Sequence, residues 1–78
     1  MVKPKQFSGK DAIKIFTAQG FVVKRTSGSH VRMTLVQNHS SYHVTIPLHD
    51  VLKKGTLSGI MKDFALCFGQ EEMEKHFF

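Results

Sequence analysis

The residues best suited to chemistry gather around one tetrapeptide, Ser27-Gly28-Ser29-His30. Glycine frees the backbone to turn tightly, and a histidine just past such a turn is exposed yet anchored. Histidine alone exchanges protons near neutrality at its ordinary pKa, a role worth about 10²–10⁴-fold in rate. Lys24 and Arg25 precede the turn, and Arg32 lies two residues beyond His30 on the same strand face. Cations there can hold a phosphate and offset the negative charge that develops on it during transfer. Arginine suits a bidentate contact, lysine a point charge.

A second basic group, Lys53-Lys54-Gly55-Thr56, falls where a helix is expected to begin. Free backbone N–H groups and the positive end of the dipole join the two lysines there. Lysine opposes the dipole at that end, so the pattern favours an anionic ligand over helix stability. Ser29 and Thr56 complete the set of expected phosphate contacts. Of the other histidines, His43 and His49 are candidate supporting groups. His43 faces out beside Thr45, and His49 follows Pro47-Leu48.

Other chemistries find little to work with. Lone Cys67 cannot form an internal disulfide or complete a zinc site. The five histidines have no carboxylate or cysteine at ligand spacing, so no metal or cofactor is expected. There is no nucleophile elbow, phosphate-binding loop or pair of catalytic carboxylates. At 78 residues the chain holds no barrel or doubly wound nucleotide-binding sheet. No apolar run approaches membrane-spanning length and no apolar leader is apparent, so no membrane is expected and the cytoplasm is the expected compartment.

The net charge of +5 is unevenly placed. Residues 1–62 hold ten Lys/Arg against Asp11 and Asp50, a net +8, whereas residues 63–78 are −3. A domain this basic attracts a polyanion, most commonly nucleic acid. With so few acids in the main body, a nuclease dependent on hard cations is disfavoured. RNA fits best, because its 2′-hydroxyl supplies a nucleophile that DNA lacks.

The elements that must position these groups can be read in order. Ser8 and Asp11 form a capping box, and helical spacing of Ala12, Ile13 and Phe16 up to Gly20 predicts a helix over about 9–19. Residues 21–26 read as a strand. From His30 the pattern alternates, with Val31, Met33 and Leu35 inward and His30, Arg32 and Thr34 outward. Asn38-His39-Ser40-Ser41 turns the chain into a third strand, where Tyr42, Val44 and Ile46 face the core and Pro47 ends the run. Thr56 is the expected N-cap of a second helix striped by Leu57, Ile60, Met61 and Phe64 and closed by Gly69. The expected architecture is α+β, an αβββα order with both helices on one face of a three-stranded antiparallel sheet. One domain spans 1–78, its core over about 7–68 and an acidic extension over 69–78. Phe77 and Phe78 either dock on a partner or complete the core.

Several of these segments together resemble the HicA family of toxins. They are Ser8-Gly9-Lys10-Asp11, Gly20-Phe21, Gly28-Ser29-His30, Val44 to His49 and Leu52 to Leu57, in unbroken order over about 7–66. The resemblance implies a fold like the double-stranded-RNA-binding domain and activity as an mRNA interferase. It also implies neutralisation by a HicB-type antitoxin, and it places the catalytic histidine at His30. The family often carries Lys or Arg where this chain has Ser27, so more of the phosphate work falls to Arg25 and Arg32. The residues assign His30 neither the acid's part nor the base's. One histidine cannot comfortably do both, so a second group or solvent takes part. Two other classes compete: a non-catalytic double-stranded-RNA-binding module, which explains Lys53 and Lys54 but not Gly28-Ser29-His30, and a structural protein serving only protein partners.

Overall fold

The computed structural model describes residues 6–78. The order is α1 (Gly9–Ala18), β1 (Val22–Ser27), β2 (His30–Gln37), β3 (Ser40–Pro47), α2 (Lys54–Phe68) and α3 (Gln70–Phe77). The strands form one antiparallel meander, β1-β2-β3. This is the α+β arrangement expected from the pattern.

The capping box closes in both directions. The Asp11 backbone N–H donates to Ser8 Oγ at 3.0 Å, and the Ser8 N–H donates to Asp11 Oδ2 at 3.0 Å. Donation from the Ser8 backbone, then from its side chain, holds the Asp11 carboxyl below its ordinary pKa. Gln19 caps the far end, and Gly20 follows with φ +106°. Phe21 is not part of the strand. It is buried in the core, and β1 starts one residue later.

Both hairpins have two-residue turns. Gly28 has φ +58° while Ser29 does not share the positive sign, the pattern of a type II′ turn. Asn38 and His39 are both positive, at 52° and 65°, the pattern of type I′. The Leu48 N–H donates to the Ser29 carbonyl at 2.6 Å, one step past the last ladder pair, His30 opposite Pro47. Hydrogen-bonded and open pairs alternate in such a ladder, so the His30–Pro47 pair is an open one. The donor that proline lacks would have pointed away from β2, and no ladder bond is lost.

One side of the sheet carries the core. Val31, Met33, Val44 and Ile46 are buried beneath Ala12 and Phe16 of α1 and Leu57, Ile60, Met61 and Phe64 of α2. Phenylalanines knit the helices together edge to face: Phe64 meets Phe16 at 5.4 Å and Phe77 at 5.4 Å, and Phe77 meets Phe7 at 5.3 Å. The helices cover β2 and β3, while every residue of β1 stays exposed.

One expectation needs correcting at the C-terminal side, and one alternative is decided there. Thr56 does not cap α2. The helix begins at Lys54 with Lys53 as its cap, which makes no side-chain cap bond. Lys53 is extended (φ −64°, ψ 151°) and its carbonyl already accepts the Leu57 N–H, so Thr56 lies inside the first turn. The acidic tail forms α3, which turns back at Gly69 and buries Met73 and Phe77. Phe77 completes the core. Its truncation to alanine should therefore cost about 3–5 kcal/mol, read by urea unfolding. A loss below 1 kcal/mol would show that the tail is merely attached.

Candidate active site

The site is built on the helix-free face of the sheet, and the ladder register dictates who meets whom. Side chains directly opposite each other share a face. Ser27 pairs with His30 and His30 with Pro47; Arg25 pairs with Arg32 and Arg32 with Thr45. Val31 and Met33 point into the core, so His30 and Arg32 between and beside them point out, and both are exposed.

Arg25 reaches this face only because β1 is irregular. Val23 lies opposite Met33, on the core side, and regular alternation would send Arg25 to that side too. A bulge between Val23 and Arg25 leaves Lys24 unpaired and returns Arg25 to the outer face, opposite Arg32. Two arginines from two strands are thereby set opposite each other two pairs from His30, with Lys24 next to them in the bulge. No glycine or proline announces the bulge. The one available signal is that Val22-Val23-Lys24-Arg25 does not alternate.

No acid answers these cations. Among the described residues the ion pairs are Lys75–Glu72 and His76–Glu72, both on α3. Arg25 and Arg32 thus face each other as like charges, with neutral Thr45 on the far side. Opposed like charges destabilise a sheet. The arrangement is one that an anion would relieve.

The same end of the molecule holds the N-termini of α1 and α2. The Gly9 N–H donates to the His49 carbonyl at 2.9 Å, and the Leu52 N–H to the Phe7 carbonyl at 2.7 Å. A Cβ on Gly9 would overlap the Pro47 carbonyl oxygen and come within 2.9 Å of Leu48 Cα, so only glycine allows this approach. Residues 48–53 then carry the chain from His30's neighbour to Lys53 and Lys54, both exposed at the head of α2. No acidic residue occupies the first turn of α2. Thr56 is in that turn and Ser29 is in the hairpin turn, its carbonyl committed to Leu48.

The two supporting histidines separate. His43 lies opposite Thr34, four residues before Pro47, about 13 Å from the His30 pair along the strand. Its Nδ1 hydrogen-bonds the buried Thr34 hydroxyl at 3.0 Å. It lies too far along the strand to share a ligand atom with His30. His49 follows Leu48, whose N–H bonds Ser29 of the His30 turn, and its own carbonyl accepts the Gly9 N–H. Cys67 offers no rival nucleophile, because burial, then the nearby Asp63 carboxylate, push its thiol pKa up.

A family model described as the HicA toxin of bacterial toxin-antitoxin systems matches residues 9–66, most of the chain. The chain belongs to the HicA toxin family. No curated protein and no solved structure matches it. The matched span of this HicA-family toxin includes the Gly9 contact, both hairpins, His30, His49 and the head of α2. It stops before α3, whose Met73 and Phe77 nonetheless fill the core.

The opposed arginines generate a prediction. Arg25→Gln should raise stability by about 0.5 kcal/mol at low salt, a shift of a few degrees in Tm. The gain should shrink in 1 M salt, where the charges are screened. A variant less stable than wild type at low salt would contradict the reading of an unrelieved repulsion.

Proposed function

We propose that this toxin is a metal-independent endoribonuclease that cleaves mRNA in the cytoplasm. His30 transfers a proton at the scissile phosphate. Arg25, Arg32 and Lys24 hold the phosphate and stabilise its developing charge. Lys53, Lys54 and the head of α2, with Ser29 and Thr56, draw in the flanking backbone. A HicB-type antitoxin neutralises the toxin by covering this face.

The observation that carries the reading is the register: an exposed histidine two residues from an arginine that opposes a second arginine, neither arginine being in an ion pair among the described residues. Such a cluster is poor design for stability and good design for binding a phosphate. Metal independence is supported by the shortage of carboxylates. Of the two acids in residues 1–62, Asp11 is committed to the Ser8 cap, which leaves Asp50. The chemistry then needs a nucleophile from the substrate, and the RNA 2′-hydroxyl provides one.

One observation favours a second reading. The β1–β2 turn and the lysines heading α2 share one end of the molecule, as suits a module gripping duplex RNA by its phosphates. That reading leaves the placement of His30 unused.

Incubating the purified chain with single-stranded and duplex RNA in the presence of a chelator separates the two. The nuclease reading expects cleavage of single-stranded RNA, lost by at least 10²-fold in His30→Ala while the fold and RNA affinity persist. Equal cleavage by that variant, or duplex binding without cleavage, would sink it. Replacing Lys53 and Lys54 together by alanine should instead weaken binding and lower the slope of log K against log[salt] by about 1.4.

A further inference from the structure

Cleavage through the 2′-hydroxyl needs a proton taken from one oxygen and a proton given to another. His30 supplies one group. We propose that His49 supplies the other, an inference that rests on the ribonuclease reading above.

The backbone places it there. The carbonyls of Pro47 and His49 both face Gly9: the first is the atom a Gly9 Cβ would strike, and the second accepts the Gly9 N–H at 2.9 Å. Between them the Leu48 N–H turns the opposite way and donates to the Ser29 carbonyl at 2.6 Å. Carbonyls two residues apart on one side, with the intervening N–H on the other, are the pattern of an extended strand. Residues 47–49 therefore continue the course of β3 beyond its last ladder pair. His49, two residues past Pro47, falls on the face that Pro47 shares with His30.

His30 and His49 are thus diagonal neighbours, about 7–8 Å apart at the backbone and within reach of one another's side chains. Two imidazoles across that interval can close on a single phosphate between them. Both residues are exposed, as an entering RNA strand requires. His43, the other histidine on this face, is excluded by its distance from His30. The charged groups on the elements that meet at this end are Lys24 and Arg25 on β1, Arg32 on β2, Lys10 and Asp11 in the first turn of α1, Asp50 in the connection, and Lys53 and Lys54 heading α2. Asp11 is occupied by the Ser8 N–H.

The step balances without any co-reactant. The neutral imidazole of the pair removes the 2′-hydroxyl proton as the 2′-oxygen forms its bond to phosphorus. The bond from phosphorus to the 5′-oxygen breaks, its electron pair staying on that oxygen, which takes a proton from the protonated imidazole. The products are a 2′,3′-cyclic phosphate and a 5′-hydroxyl. Exchange with water resets the two rings.

The test is the pH dependence of kcat/KM for cleavage of one defined RNA by the purified full chain. Wild type should give a bell with an acidic and a basic limb. His49→Ala and His49→Gln should both fold, judged by their thermal transitions, and both should lose 10²–10⁴-fold in rate together with one limb. Glutamine preserves hydrogen bonding but carries no proton to transfer, so rescue by His49→Gln would reduce His49 to a structural role and overturn the proposal. A complete bell in His49→Ala, or loss of the limb in Asp50→Asn instead, would also overturn it. Failure is distinguishable from failure of the underlying reading. Cleavage surviving in His30→Ala defeats both, whereas an inert His30→Ala beside a normal His49→Ala defeats this proposal alone.

Discussion

The close approach of Gly9 to Pro47 and Leu48 is the contact on which the geometry of this toxin depends. It seats the start of α1 directly on the end of β3, with no side chain between the two backbones. Because Gly9 also donates to His49, and Phe7 accepts from Leu52, the connection 48–53 is stitched along the N-terminus of α1. The same stitching fixes Leu48 against Ser29, and with it the turn from which His30 projects. One missing Cβ thus ties the hairpin turn, the N-termini of α1 and α2 and two histidines to one end of a small domain. Hydrophobic packing secures the other layer, where Phe64 joins Phe16 and Phe77. The chemical end is held mainly by backbone hydrogen bonds.

Against that rigid end, the outer sheet face carries charge that the fold does not need. A bulge spends an unpaired residue to turn Arg25 outward, opposite Arg32, and no acid compensates them. Exposed strands commonly carry lysine to discourage edge pairing, and Lys24 serves that purpose as well. Two arginines paired across a ladder go beyond it. Three of the six acids are segregated on the last helix. Glu71, Glu72 and Glu74 lie on α3, which packs on α2 rather than on the outer face.

Much of this was legible in the residues. Strict alternation in β2 and β3 gives the register's two faces, because a single-residue slip would exchange core for solvent. Ser8 with Asp11, Gly20 and Gly69 mark helix ends through caps and positive φ, both local effects. The elements that escaped the pattern depend on partners distant in sequence. Nothing local shows that Gly9 must accommodate a carbonyl from Pro47. The bulge at Lys24 is settled by pairing with β2, and the bare state of β1 by where the helices happen to end. At α2 a lysine cap without a side-chain bond beat the better-suited Thr56, since the path from β3 sets where the helix can start. In the tail, the surrounding acids leave the role of Phe77 open in the sequence, and packing on α2 decides it; Met73, four residues earlier, is buried with it. The family match gives the toxin class; the register gives His30 and the arginines their shared face.

The proposed cleavage depends on a nucleophile carried by the substrate. It is tested most directly by a defined RNA oligonucleotide, cleaved by the wild-type chain with chelator present, against the same oligonucleotide bearing one 2′-deoxy sugar at the scissile position. The account predicts cleavage of the first to a 2′,3′-cyclic phosphate and a 5′-hydroxyl, and no cleavage of the second at that bond. Undiminished cleavage at the deoxy position would contradict it.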